Sequence, residues 1–127
     1  MVVAIHETLT EVDRVAAATL EVYTHRRDQA TEMPLAELID VPKALGSLRA
    51  VVARGERSVE IVLDADVDSS SLPAGIWNLA DDGWQPVVLI ALDRIGEAHS
   101  GLRGAPCKLQ PWWTIDDKVV FGAFEIP

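Results

Sequence analysis

Apolar residues first recur with a helical period in the N-terminal quarter of the chain, where Leu9, Val12, Val15, Ala16, Leu20 and Tyr23 share a face and Glu11, Asp13, Arg14 and Glu21 fall mostly elsewhere. Thr8 stands three residues before Glu11, the spacing of a reciprocal hydroxyl–carboxyl cap, so the pattern predicts a helix starting there. Ahead of it, residues 2–6 form a short apolar run that reads as a first strand.

Polarity rises through residues 24–32, and Met33-Pro34 and Val41-Pro42 then bias the residue before each proline away from helical geometry. Proline suits the first turn of a helix, which predicts a short helix over residues 34–40 and a longer one over 42–54, with Leu45, Leu48, Val51 and Val52 facing inward and Gly55 as its stop.

From Ser58 the period becomes two. Val59, Ile61, Leu63, Ala65 and Val67 alternate with Ser58, Glu60, Val62, Asp64, Asp66 and Asp68, the signature of a strand with one buried face. Residues 69–75 read as a loop by composition. Ile76–Ala80 and Trp84–Leu92 read as strands joined through Asp81-Asp82-Gly83, where Asp-Gly favours a tight hairpin. The run from Val87 to Leu92 is apolar on both faces and should be the central strand, covered by helices, a loop or a second subunit. Residues 93–106 carry both helical spacing and several glycines, which suggests a short helix followed by a loop. Cys107–Ile115 and Lys118–Ile126 flank Asp116-Asp117 as a final hairpin.

Helices first and strands afterwards imply an α+β fold, with N-terminal helices packed on a mainly antiparallel sheet of about five strands formed by the C-terminal half. At 127 residues the chain fits one domain, 1–127, large enough to build a core without staples. No internal repeat is present.

Charge narrows the partners. Eleven basic against twenty acidic residues give a formal charge of -9, which repels phosphate backbones and anionic headgroups and so argues against nucleic acid and membranes. The densest basic spots, Arg26-Arg27 and Arg49 with Arg54, have Asp28, Glu32 and Glu56 nearby. Cys107 is the only cysteine, no basic region precedes the apolar start, and no apolar stretch approaches the ~18 residues of a membrane span, so a cytoplasmic location is expected.

Chemistry could sit on the acidic row. On a strand, Asp64, Asp66 and Asp68 would share a face with successive side chains about 7 Å apart, a spacing able to hold a divalent cation. A helix–loop–helix calcium loop counted from Asp64 fails, because Ser69 and Gly75 stand where glycine and glutamate are required. An apolar strand ending in Asp64-Ala65-Asp66-Val67 resembles the first motif of haloacid-dehalogenase-type phosphotransferases, which implies a nucleophilic first aspartate and an acid/base second. The later lysine and acidic pair of that family are not found in its arrangement. Leu45-Gly46-Ser47 followed by Asp64-Ala65-Asp66-Val67 also resembles the signature of polymerase-beta-type nucleotidyltransferases, which implies two metal ions held by Asp64 and Asp66 with Asp93 as third carboxylate. Here the gap is longer than that family shows, and Gly46-Ser47 lies inside a helical pattern. The competing reading makes the aspartates the charged outer face of an edge strand.

His6, His25 and His99 fit no metal-ligand spacing, and a thiol site from Cys107, His99 and Asp93 has no motif to support it. Four tryptophans, Trp77, Trp84, Trp112 and Trp113, lie in the sheet half. Neighbours on a strand point opposite ways, so Trp112 and Trp113 cannot enter the same core. Neither resemblance extends over the whole chain. The reading that results is a non-catalytic protein-interaction module, of inhibitor, chaperone or regulatory-subunit type, which needs no cofactor. It would act through the sheet and Trp77, Trp84, Trp112 and Trp113, on a basic partner or as a homodimer. The alternatives are a metal-dependent transferase using Asp64, Asp66 and Asp93, and a small-ligand pocket roofed by Trp77, Trp84 and Trp112.

Overall fold

A computed structural model describes residues 10–127, and the strand expected over residues 2–6 lies outside them. The first helix, α1, spans Glu11–His25. Its cap is Thr10 rather than Thr8: the Thr10 hydroxyl accepts from the Asp13 amide at 3.2 Å, and the Asp13 carboxylate accepts from the Thr10 amide. The same reciprocal motif thus operates two residues later than its sequence spacing suggested, with aspartate in the glutamate's place.

The six strands are β1 (Thr31–Pro34), β2 (Arg49–Ala53), β3 (Ser58–Val62), β4 (Gln85–Ala91), β5 (Lys108–Ile115) and β6 (Lys118–Phe121), adjacent in that order within one sheet. Pairs β1–β2, β2–β3 and β5–β6 are antiparallel, whereas β3–β4 and β4–β5 are parallel. The α+β expectation holds, with six strands, a mixed sheet, and a start well before the C-terminal half. Each parallel pair is bridged by a helix, α2 (Pro73–Asp81) between β3 and β4 and α3 (Ile95–Gly101) between β4 and β5.

Two apolar clusters sandwich the sheet. Val15, Ala16 and Tyr23 of α1 pack on Val51, Ala53, Val62, Val87 and Leu89, while Ile76, Leu79, Ala98 and Leu102 pack on Ala50, Val52, Ile61, Val88 and Ile90. The central position of β4 follows the sequence expectation. Its two apolar faces are covered by α1 on one side and α2 with α3 on the other, and Leu92 falls just past its end. No described helix is long and apolar enough to cross a membrane.

Four elements differ from the sequence reading. The helix expected over 34–40 is a strand end followed by one 3-10 turn, Leu35–Glu37, and the helix over 42–54 is a 3-10 turn, Lys43–Leu45, followed by β2. Leu45, Leu48, Val51 and Val52 are all buried as expected, but Val51 and Val52 enter opposite clusters, which a helix face cannot do and a β-branched strand does. The strand expected over 76–80 is α2, where Pro73 occupies the first turn and Ile76 and Leu79 recur three apart. Asp81-Asp82-Gly83 is therefore a helix exit into β4, with Gly83 at φ +86°, rather than a hairpin. The strand expected over 58–68 ends at Val62, and its Glu60 and Val62 are buried along with Val59 and Ile61. It is an interior strand between β2 and β4, so the charged edge-strand reading is corrected. The short helix after β4 and the final hairpin turn are as expected, with Asp116 and Asp117 at φ +51° and +63° forming the turn, but the second hairpin strand, expected to reach Ile126, ends at Phe121.

Candidate functional site

Ligands of parallel sheets usually sit beyond the carboxyl ends of the strands. Here Asp64 and Asp66, in the loop after β3, line a hollow of about 360 Å³ with Arg94 and Trp112, and Asp93 lines its neighbour. The loop is tied down by Arg94, which donates to the Asp64 carbonyl at 3.0 Å and the Val67 carbonyl at 2.7 Å and pairs with Glu97 at 3.1 Å. Asp64 accepts from the Asp66 amide at 3.4 Å, and Asp68 accepts from the Ser70 amide at 3.0 Å, a bond that holds its carboxyl below the usual range. These carboxylates shape turns. Among the described residues no three His, Cys, Asp or Glu side chains are placed to hold a metal ion, so Asp64, Asp66 and Asp93 do not form the triad that the transferase resemblances imply.

The tryptophans disperse as well. Trp77 stands 51% exposed on α2. Trp112 is buried toward α1, its indole N–H without an acceptor among the described residues. Trp113, on the opposite sheet face, is half-buried over Gly122 and Pro111. Of the four, Trp84 alone lines the apolar cleft at the amino ends of the middle strands, so no pocket roofed by Trp77, Trp84 and Trp112 is assembled among the described residues.

That cleft, of about 650 Å³, runs round the amino ends of β3, β4 and β5, where Ser58, Gln85 and Lys108 begin the strands. Three devices build its walls. Arg57, at φ +57° in the β2–β3 turn, donates to the Asp82 carbonyl and stacks 4.4 Å over the Trp84 ring, locking the α2–β4 turn in place. Beyond β6, the chain pairs back on β5, with Leu109 and Glu125 exchanging both backbone bonds at 2.8 Å. Alternation there sends Glu125 toward α3, where His99 meets it at 2.7 Å, and leaves Phe124 and Ile126 on the rim, 54% and 72% exposed. Lys108 lies 5.2 Å over the Phe124 ring.

Glu60, in the wall of this cleft, is the one charged side chain in the apolar stretch Val59–Leu63 and is only 7% exposed. Burial pushes its carboxyl above the ordinary range, against the smaller opposing effects of the Tyr23 hydroxyl and the Arg26 charge. Tyr23 is driven the same way by burial and by Glu60, and its hydroxyl contacts the Ser58 hydroxyl at 3.1 Å. Arg26 is drawn away, stacking 4.7 Å over the Tyr23 ring and pairing with Asp28 at 4.0 Å. A second hollow of about 330 Å³ shares Glu60, Arg26 and Phe124 with the cleft. Cys107 also lines the cleft, its thiol raised by burial to about 11. Among the described residues no hydrogen bond joins it to His99, whose ring bonds to Glu125 instead.

Alternation along the sequence puts Glu60 on an outward strand face and gives Tyr23 to the core only, so neither is singled out by pattern. The signal that could have found the site is a lone glutamate in the middle of an apolar strand. Comparison with protein-family models, curated proteins and solved structures finds no match to the chain.

Proposed function

We propose that the protein is a non-catalytic interaction module of the cytoplasm that docks a protein partner at the cleft around the amino ends of β3, β4 and β5. The observation that carries this reading is the rim: Phe124 and Ile126 remain largely exposed beside a concave, mainly apolar and aromatic wall of a size typical for recognition sites. A formal charge of -9 favours a basic partner and speeds its encounter. A second copy of the same acidic chain would bring like charges together, which makes the homodimer the weaker form of the proposal. A buried thiol and a sequence without a basic stripe accord with a reducing, protein-facing role rather than a membrane or nucleic-acid role.

Affinity capture with the full chain, repeated with Phe124→Ser and with Trp77→Ser, tests the location. A partner retained by the Trp77 variant, lost by the Phe124 variant and released by salt supports the cleft. Loss with Trp77→Ser alone would move the interface to α2, and light scattering showing a dimer that Phe124→Ser dissolves would replace the basic partner with a second copy.

A further inference from the structure

Among the described residues the buried carboxyl of Glu60 makes no ion pair, and the Arg26 charge reaches it only as a smaller effect beside that of burial. The two basic residues lining the same cleft are occupied elsewhere, Arg26 by the Tyr23 ring and Asp28, Lys108 by the Phe124 ring. A carboxylate can accept several hydrogen bonds, and the partner that influences it here, Tyr23, also contacts Ser58. Leaving such a group charged in an apolar wall is costly in free energy unless a cation pairs with it, and without one it holds a proton instead. The surroundings suit one cation in particular. Phe124, 54% exposed, lines both hollows that Glu60 lines, Pro86 and Val87 add apolar surface, and Ser58 a further oxygen. A guanidinium is planar, weakly hydrated and rich in donors, so it stacks on such a ring while bonding to a carboxylate, where a strongly hydrated ammonium would lose more.

We propose that Glu60 is the recognition carboxylate for an arginine side chain of the docked partner, inserted into the cleft beside Phe124. The inference rests on the docking site argued above and adds the chemistry of its occupant. On binding, the arginine converts an isolated buried acid into a hydrogen-bonded ion pair, so recognition depends on charge as well as on shape. The other titratable groups around the cleft are Tyr23 of α1, Arg26 just after it, Glu56 before β3, Cys107 before β5 and Lys108 at its start; Glu56 adds attraction, and Arg26 and Lys108 oppose it.

The test uses the full chain, labelled with nitrogen-15, titrated with acetyl-Gly-Arg-Gly-amide and with the same peptide carrying citrulline or norleucine in place of arginine. The arginine peptide should perturb the amides of Ser58, Glu60, Gln85 and Lys108 and bind about tenfold more tightly than the citrulline peptide, the factor that one charge-assisted bond supplies. Glu60→Gln should erase that preference. Equal binding of the three peptides, a preference that survives in Glu60→Gln, or no perturbation by any of them up to about 10 mM overturns the assignment. Because the peptide comparison is made on the unaltered protein, it does not depend on the variant folding. Partner capture that needs Phe124 while the peptides show no charge preference would leave the docking site standing and remove the arginine. An arginine preference alongside capture indifferent to Phe124 would keep the cation site and move the partner.

Discussion

Tyr23 of α1 and Ser58 of β3 place their hydroxyl oxygens 3.1 Å apart, joining the end of a helix to the first residue of an interior strand at the wall of the cleft. The ring of Tyr23 is buried among Val51, Ala53 and Val87, so the hydroxyl and the ring contribute separately. Tyr23→Phe should lower stability by about 1 kcal/mol through loss of the hydrogen bond. Tyr23→Ala should lower it by about 3–5 kcal/mol by opening a cavity. Urea denaturation of the two variants separates these effects.

Glu60 makes stability depend on pH in a defined direction. Burial raises its folded-state pKa above the unfolded value, so the native state holds the proton more tightly. The resulting stabilisation is fully present below the unfolded pKa and is lost as pH rises from that value through the folded one. Each unit of elevation corresponds to about 1.4 kcal/mol. Glu60→Gln should flatten that decline and be at least as stable as the parent at pH values above it. Denaturation midpoints across the acid-to-neutral range check the sign, and a parent whose stability rises through this window while the variant's stays flat would refute it.

Gly101 closes α3 against the 3-10 turn Ser69–Ser71. A methyl group there would lie 2.9 Å from the Ser70 nitrogen and collide with the hydroxyl of Ser69, which is fully buried and donates to the Glu97 carbonyl. Gly101→Ala should therefore cost about 1–3 kcal/mol. Gly96, in the same helix, would place its methyl group with no neighbouring atom within 4 Å, and Gly96→Ala should leave stability unchanged or raise it by up to about 1 kcal/mol. Thermal unfolding of the pair provides the comparison.

Cys107 lines the cleft but is 8% exposed, and burial raises its thiol to about 11. The thiolate is the reactive form, so modification by an aromatic disulfide at mildly alkaline pH should run roughly a hundredfold slower in the native protein than in urea. A native rate equal to the unfolded one would show the thiol to be open to solvent.

Much of the secondary structure was legible where the pattern had one interpretation. The face of α1, the apolar run of β4 and the β5–β6 hairpin with its Asp116-Asp117 turn were each specified by local spacing or turn chemistry. Short apolar stretches were not. Val51-Val52-Ala53 and Ile76 to Ala80 fit either a strand or a helix face, and β2 and α2 were settled by which neighbours bury them. The acidic row misled for a related reason: alternation continued in the sequence through Asp68, but the backbone turned after Leu63 because Arg94 captured the loop carbonyls of Asp64 and Val67, a contact between residues far apart in the chain.

By itself the sequence determined that this chain is acidic, α+β and built around a doubly apolar strand, because those properties follow from composition and from periodicities a few residues long. Only the tertiary structure decided that the carboxylate of interest is Glu60 rather than Asp64 or Asp66, and that Trp84 shares its cleft with Tyr23 and Phe124. The physical reason is that burial is a property of neighbours: β2, β4 and α1 close around Glu60, and no local pattern records which residues will surround it.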